Sequence, residues 1–452
     1  MSKLWIDMTD LSKWKGHMTG VQRVIYEIAV RYHSSAEEVG YFIYDEKDRA
    51  CYEIPFSTID EIISTPVTQN ESKKPSHAKR MVSGTVDLMR DRYDRLSDDT
   101  KKKIPASVII GGKVLVKGTE KLARTTLHYI REARARQLNR AIRSSMDDSR
   151  EIVLAEGDIL FVIGASWDSK TKIFDLAKLK SLYKLKYVQV IHDVIPAFSP
   201  HLFGDGFARD FDRFMFESIA NADLLLCVSE ATKRQLLKLC EVTRIPVPSV
   251  EVIRLGDDYS QSSHPVRPKM DVATGEKFIL CVGTYEVRKN HTLLYYAVRE
   301  AAYKNIDIPK IIIVGRPGWL VQDLTYMLDN DPVVAGRIQY LGGVSDEEKT
   351  WLFQHCSFTI FPSVFEGWGL PVGESLYYGK PCLSSNISSM PEIGGDLVDY
   401  FSPFNSGECL ARIVEYANDT TLHAKAGRIK SEYSIHLWDD TYRQVSQYLK
   451  AL

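Results

Sequence analysis

The stretch FPSVFEGWGLPVGESLYYGKPCLSSN, residues 361–386, decides how the rest of the chain is read. It continues an apolar strand end (Phe358, Ile360, Phe361), runs through a glycine-rich turn holding Glu366, and enters a helix expected to open near Gly373 and Glu374. Gly379, Lys380 and Pro381 then stop that helix. A strand, a glycine turn and a helix N-terminus in succession make an anion site, because unpaired backbone N–H groups and the positive end of the helix dipole converge there. Glu366 and Glu374 frame the site with seven residues between them. With one in the turn and the other in the first helical turn, they share no helix face and can touch different parts of one ligand. The same residues also fit an ordinary strand-turn-helix carrying two solvated glutamates.

Upstream, the pattern repeats. FILCVGTYEVRKNHTLLYYAV (278–298) is a buried strand, a loop with Arg288 and Lys289, and a helix; KIIIVGRPG (310–318) and RIQYLGGVSDEEKTWLFQHC (337–356) continue the alternation, with Ser345 as the cap of a helix. Residues 258–277 are polar, contain proline and lack periodicity, which suits an interdomain linker. Before them lie ILFVIGA (159–165), YVQVIHDVIP (187–196), ADLLLCVSEATKRQLL (222–237) and PSVEVIRLG (248–256), continuous apolar strands of the kind a parallel sheet covers on both faces. His192 and Asp193 fall at the C-terminal end of one such strand, where open α/β sheets bind ligands. At the N-terminus, a strand over residues 4–8 leads through LSKWKGHMTG to a helix with Val21, Val24, Ile25, Ile28 and Ala29 at helical spacing. Strand, glycine loop and helix again form a phosphate-binding arrangement, although no G-x-G-x-x-G is present. A last helix starts at Trp438, with Tyr442, Val445 and Leu449 on one face.

These motifs, in this order, carry a resemblance. The E-x7-E run resembles the signature of retaining nucleotide-sugar glycosyltransferases of the GT-B fold, glycosyltransferase family 4. TGVQRVIYEIA resembles the T-G-x-Q-R stretch of bacterial polysaccharide glycosyltransferases, GTYEVRKN a loop whose basic residues neutralise the donor diphosphate, and IQYLGGVSDEE the segment beside the nucleotide base. The resemblance covers roughly residues 150–450 and the first 35. It implies an α/β GT-B architecture: two Rossmann-like domains whose parallel sheets face across a cleft, and a C-terminal helix that crosses back to the N-terminal domain. On that plan residues 1–257 form the acceptor-side domain with an insertion at 66–150, 278–437 form the nucleotide-sugar-binding domain, and 438–452 form the returning helix.

The roles implied follow position by position. Glu366, His192 and Lys289 would be catalytic, with Glu366 and His192 beside the transferred sugar. Glu374 would bind the ribose, Val344 would lie near the base, and Lys289, then Arg288, would hold the diphosphate. Gly20, Gly367, Gly369, Leu370 and Pro371 would complete the donor site. Thr284 stands where many relatives have an arginine. The resemblance is nearest to bacterial mannosyltransferases and related rhamnosyltransferases of O-antigen, lipopolysaccharide or capsule synthesis. It implies GDP-mannose as donor, with UDP- and dTDP-sugars as alternatives, and a lipid-linked or oligosaccharide acceptor. Retention of configuration is implied, with no cofactor and no metal; the DND at 329–331 is remote from the glycine turn in sequence.

Composition narrows the classes. At 452 residues the chain is long enough for two or three domains, and 44% hydrophobic with 26% charged residues is ordinary globular usage. Seven scattered cysteines with no C-x-x-C pair suggest buried thiols rather than disulfides or a zinc site. The early charges of MSKLWIDMTD do not suit a signal peptide and no run of 18 apolar residues occurs, so a cytoplasmic protein is expected. Net charge is −1, yet residues 73–143 carry 19 Lys and Arg against 7 Asp and Glu. VDLMRDRYDRL and a helix expected near 119–146, with Arg136, Arg140 and Arg143 on one face, suit either solvated helices or docking on anionic lipid at the inner face of the cytoplasmic membrane. With Tyr93 and Tyr129 as its aromatics, the block offers little for stacking nucleic-acid bases, and no nucleic-acid partner is expected. A nicotinamide-dependent dehydrogenase lacks its glycine fingerprint here. A catalytically inactive binding or scaffold subunit would be expected to have lost Glu366, Glu374, Lys289 or His192, and all four are present.

Overall fold

Leu4–Asp7 (β1) is buried at every position, so neither of its faces can meet water and both must be covered. In the computed structural model, which describes residues 2–14, 18, 20–59, 150–204, 206–258 and 262–452, such strands form the centres of two sheets. The first sheet adds Val39–Asp45 (β2), Ala50–Glu53 (β3), Ile159–Val162 (β4), Lys186–Ile191 (β5), Leu224–Cys227 (β6) and Ser249–Val252 (β7), in the order β3-β2-β1-β4-β5-β6-β7. Only the edge strand β3 runs antiparallel, against β2. The second sheet is parallel throughout: Phe278–Val282 (β8), Lys310–Val314 (β9), Ile338–Leu341 (β10), Phe358–Phe361 (β11), Cys382–Ser385 (β12) and Asp399–Phe401 (β13), ordered β10-β9-β8-β11-β12-β13.

Each sheet therefore reverses its winding once, between β1 and β4 in the first and between β8 and β11 in the second. Loops leaving neighbouring strands at such a switch point diverge to opposite faces and open a crevice. The two crevices supply the loops described below.

The chain returns to its first half at the end. The Trp438–Lys450 helix lies along the Gly20–His33 helix, with Tyr442 edge-on to Tyr32 at 4.8 Å and the Ser446 hydroxyl donating to the Tyr32 oxygen. Trp438 is fully buried, and a methyl group at Gly256 would stand 2.5 Å from its ring, so only glycine lets the indole in. All seven cysteines are buried and unpaired. Among the described residues no helix is long and apolar enough to cross a membrane. The basic insertion 66–150 and the helices expected in it lie outside the described residues, save Arg150 at its end. Its near flank is anchored: Ile152 N–H donates to the Cys51 carbonyl at 3.1 Å, beside the edge strand β3.

Candidate active site

The glycine turn after β11 is fixed before any ligand arrives. The Glu366 backbone carbonyl accepts hydrogen bonds from the Ser388 and Ser389 hydroxyls, and its N–H donates to Ser388 Oγ at 3.2 Å. Gly369 has φ +123°, and a side chain there would meet Met390 Sδ at 2.8 Å. The helix that follows is Leu370–Tyr377, with proline in its first turn, where no N–H is needed. It thus begins earlier than the sequence pattern suggested, and Glu374 sits in its second turn rather than its first. Glu374 is set back from the helix N-terminus, where Pro371 has no N–H and the Val372 N–H bonds the Gly369 carbonyl at 2.9 Å.

Glu366 is buried and doubly paired. Arg288 Nη1 reaches its Oε2 at 2.7 Å and Lys289 Nζ its Oε1 at 2.6 Å. Burial alone would raise this carboxyl, but the two cations outweigh it and bring it down to about 2. Both cations come from the short Val287–Lys289 turn after β8, which Asn290 ends in left-handed geometry (φ 57°) while its amide donates to the Pro362 and Pro403 carbonyls. Arg288 also donates to Glu286 Oε1 at 2.7 Å and to the Phe365 carbonyl.

Glu374 is held differently. Its Oε1 accepts from Arg23 Nη1 at 2.8 Å and Lys349 Nζ at 2.9 Å, while Oε2 is buried with no hydrogen-bond partner. Burial opposes ionisation, and the charges of Lys349 and Arg23 prevail, leaving the carboxyl below its usual range. Arg23 lies in the Gly20–His33 helix of the first half, so this pair spans the two halves. Neither Arg23 nor Lys349 was assigned a role from sequence. Arg23 was quoted within TGVQR, and Lys349 lies one helical turn beyond the Ser345 cap, which does form a capping box.

His192 follows β5. Its Nε2 lies 2.7 Å from the Ile163 carbonyl, which can only accept, so Nε2 carries the proton. Burial keeps the imidazole neutral, and Nδ1 is left as the acceptor nitrogen. The His192 carbonyl is pressed against the glycine turn: a methyl group on Gly367 would stand 1.9 Å from it. Ser229 Oγ donates to the Gly367 carbonyl at 2.7 Å while also capping the Glu230–Thr243 helix. The Glu392 carboxylate accepts both the Glu230 and the Ala231 N–H at 2.7 Å.

Arg23, His192, Glu286, Arg288, Lys289, Lys349, Glu366 and Glu374 line one cleft of about 1370 Å³, and so do Gly20, Thr284, Val344, Gly367, Gly369, Leu370 and Pro371. Every residue given a role from sequence is therefore brought to one place. The N-termini of the Gly20–His33 and Leu370–Tyr377 helices meet there, since a methyl group on Gly20 would lie 3.8 Å from Leu370 Cδ1. Two cations and two helix N-termini beside two ionised carboxylates can hold a diphosphate at one end and a polyhydroxylated group at the other. Asp331 of the DND lies apart, accepting from the Tyr295 hydroxyl at 2.6 Å; among the described residues no group of three or more His, Cys, Asp or Glu is arranged to hold a metal ion.

Residues 264–429, spanning β8 to β13, match the family model described as "Glycosyl transferases group 1". The second half of the chain is a glycosyl transferases group 1 domain. The O-antigen chain mannosyltransferase B of Escherichia coli is 27% identical over 235 residues, 51% of this chain and 61% of that protein. The serotype-specific mannosyltransferase WbdA, also of Escherichia coli, is 30% identical over 226 residues, 47% of this chain and 27% of that protein. The chain thus spans less than two thirds of either relative. Among solved structures, the sucrose-phosphate synthase of Thermosynechococcus elongatus superposes with a TM-score of 0.59 at 13% identity, covering 100% of this chain and 99% of that one. Anabaena Alr3699/HepE, solved with UDP-glucose, gives 0.57 at 13% identity with both chains fully covered. These likenesses bear on the fold, and they agree with the two-sheet GT-B architecture, of which the group 1 domain is the second half.

Proposed function

We propose that the chain is a retaining, metal-independent glycosyltransferase. It moves a hexose, mannose by preference, from GDP-mannose to a lipid-linked or oligosaccharide acceptor in O-antigen or capsule synthesis. One observation carries the reading: two buried glutamates are each kept ionised by a pair of cations within a single cleft. Buried charge of this kind is costly to maintain and gathers where a reaction develops charge. The mannosyltransferase relatives support the choice of sugar.

The chemistry follows from the arrangement. When a sugar leaves a nucleoside diphosphate, positive charge grows on the ring and negative charge on the departing phosphate. Lys289, Arg288 and the two helix N-termini stabilise the phosphate side, and this preformed positive charge is the reason a metal is not required. An entering diphosphate competes with Glu366 for Lys289 and turns the carboxylate toward the ring. His192 Nδ1 accepts from a hydroxyl of the sugar. The unpartnered Glu374 Oε2 accepts from the ribose. Glu366, still paired with Arg288, is a poor nucleophile, so the departing phosphate itself takes the acceptor's proton on the same face, and configuration is retained.

Thermal unfolding with GDP, UDP, dTDP and ADP, repeated with Glu374→Ala, tests the reading. A nucleotide at 100 times its dissociation constant adds about 2.7 kcal/mol of stability. The expected result is stabilisation by GDP that the variant loses; no response to any nucleotide would leave only a binding subunit. Activity in EDTA should equal activity with added Mg²⁺. For the basic insertion we propose contact with anionic membrane at the cytoplasmic face, checked by sedimentation with anionic vesicles before and after deletion of 66–150.

A further inference from the structure

The turn that carries Glu366 is gripped through its backbone from both halves. From the second half, the loop after β12 supplies two serines. Ser388 Oγ donates to the Glu366 carbonyl and accepts the Glu366 N–H at 3.2 Å, while Ser389 Oγ donates to the Glu366 carbonyl at 3.1 Å and to that of Trp368. Ser388 has φ +59°, a left-handed backbone that a side chain disfavours and that persists only where the surroundings enforce it. From the first half, the start of the Glu230–Thr243 helix supplies Ser229 and Thr232, whose hydroxyls donate to the Gly367 carbonyl at 2.7 and 3.2 Å.

One side chain joins the two grips. Glu392, in the Met390–Gly394 helix that follows Ser389, accepts the Glu230 N–H on Oε2 and the Ala231 N–H on Oε1, both at 2.7 Å. Its charge thus sits at the positive end of the helix whose cap holds Gly367. Arg234 Nη2 flanks it, 3.6 Å from Oε1. The bonds form a ring that runs from the turn through Ser388 and Ser389 to Glu392, on to the helix start, and back through Ser229 to the turn. Because the ring crosses between the halves, it is complete only when they are together. Its outer side borders a cavity of about 400 Å³ lined by Phe198, Ala231, Arg234 and Ser388. Glu392, with 22% of its side chain exposed, fills no core.

We propose that Glu392 is a positioning residue for Glu366: by joining the two grips it fixes the backbone of the catalytic turn only in the closed molecule. The proposal rests on the glycosyltransferase reading. Glu366 turns its carboxylate from Lys289 toward the sugar while its main chain stays in place, and the ring of bonds supplies that fixed point. Transfer therefore waits until the halves have closed on the donor, where water is excluded.

Hydrogen exchange followed by mass spectrometry, on the full chain without nucleotide, tests the link with two variants that approach it from opposite sides. Glu392→Gln keeps the shape and leaves one carbonyl oxygen to accept. Glu230→Pro removes the donor N–H at the first helical position, where proline is favoured and the extended Ser229 before it is compatible. Both should speed exchange over residues 365–369 about tenfold with β11 and β12 still protected, and lower single-turnover transfer about tenfold while GDP affinity stays within about twofold. The double variant should be no worse than the poorer single one, since both cut the same link. A carboxylate that merely caps its helix would alter exchange at residues 230–233 alone. That outcome, transfer within about twofold of the wild-type rate, or a parallel loss of GDP affinity overturns the proposal. If exchange in the turn rises as stated and the wild type transfers no hexose, the link stands and the glycosyltransferase reading falls.

Discussion

Glu366 and Glu374 are the same residue type with opposite mechanical roles. Glu366 is paired wholly within the second half, whereas Glu374 joins one cation from each half. Glu366→Gln keeps the shape and removes the charge, and should lower kcat about 100-fold, as measured by single-turnover transfer, with nucleotide affinity little changed. Both carboxyls contribute stability that is lost in acid, and a further part of the acid limb belongs to another residue. His291 is buried, stacked on Tyr285 at 5.4 Å, with both ring nitrogens unpaired. Burial, then Lys289, pull its pKa down to about 3, below the roughly 6.5 of an unfolded chain. The unfolded state therefore takes up a proton first: this contribution is complete above about pH 6.5 and drains away as pH falls toward 3. Unfolding temperatures of His291→Phe should decline less over that window than those of the wild type. At this scale the sequence exposed the residues that lie in motifs, Glu366, Glu374, Lys289 and His192. It concealed Arg23 and Lys349, because their partner, Glu374, is 351 and 25 residues away and nothing local announces it.

Among the elements, strands were the easiest to foresee, since a fully buried parallel strand leaves an unbroken apolar run. The start of the Leu370–Tyr377 helix was read too late: its glycines resemble a turn, and the proline at its first turn, the true mark of a helix start, was passed over. Gly367 is where that turn touches the other half. Gly367→Ala would force the His192 carbonyl away, since no methyl group fits at 1.9 Å. Both sheets should keep their fold, so the expected outcome is loss of at least about tenfold in kcat with a small change in unfolding temperature. An unaltered rate would mean that the contact is incidental.

For the molecule as a whole, the contacts that join the halves among the described residues include Arg23 with Glu374, Ser229 with Gly367, Trp319 with Leu202, and Glu392 at the Glu230–Thr243 helix. Arg23→Ala leaves Glu374 with Lys349 as its remaining cation of the pair and should cost about 3 kcal/mol, the penalty for breaking a buried ion pair. Small-angle scattering of the nucleotide-free variant should give a larger radius of gyration than the wild type. Such a link between halves could not be foreseen, because it depends on how two sheets face each other. The two-sheet plan itself was legible, from the repeated strand, glycine loop and helix.

The returning Trp438–Lys450 helix has a consequence for anyone recombining such enzymes. Its Gln444 side chain exchanges hydrogen bonds with Arg254 N–H and the Val252 carbonyl, and its Trp438 fills the space Gly256 leaves. By contacts, this segment is property of the first half, although it follows the second in the chain. A chimera that imports a foreign second half through to the last residue would tear out part of the recipient's own wall. The exchangeable cassette ends before residue 438, and grafts cut there should express where grafts cut at the linker alone should not.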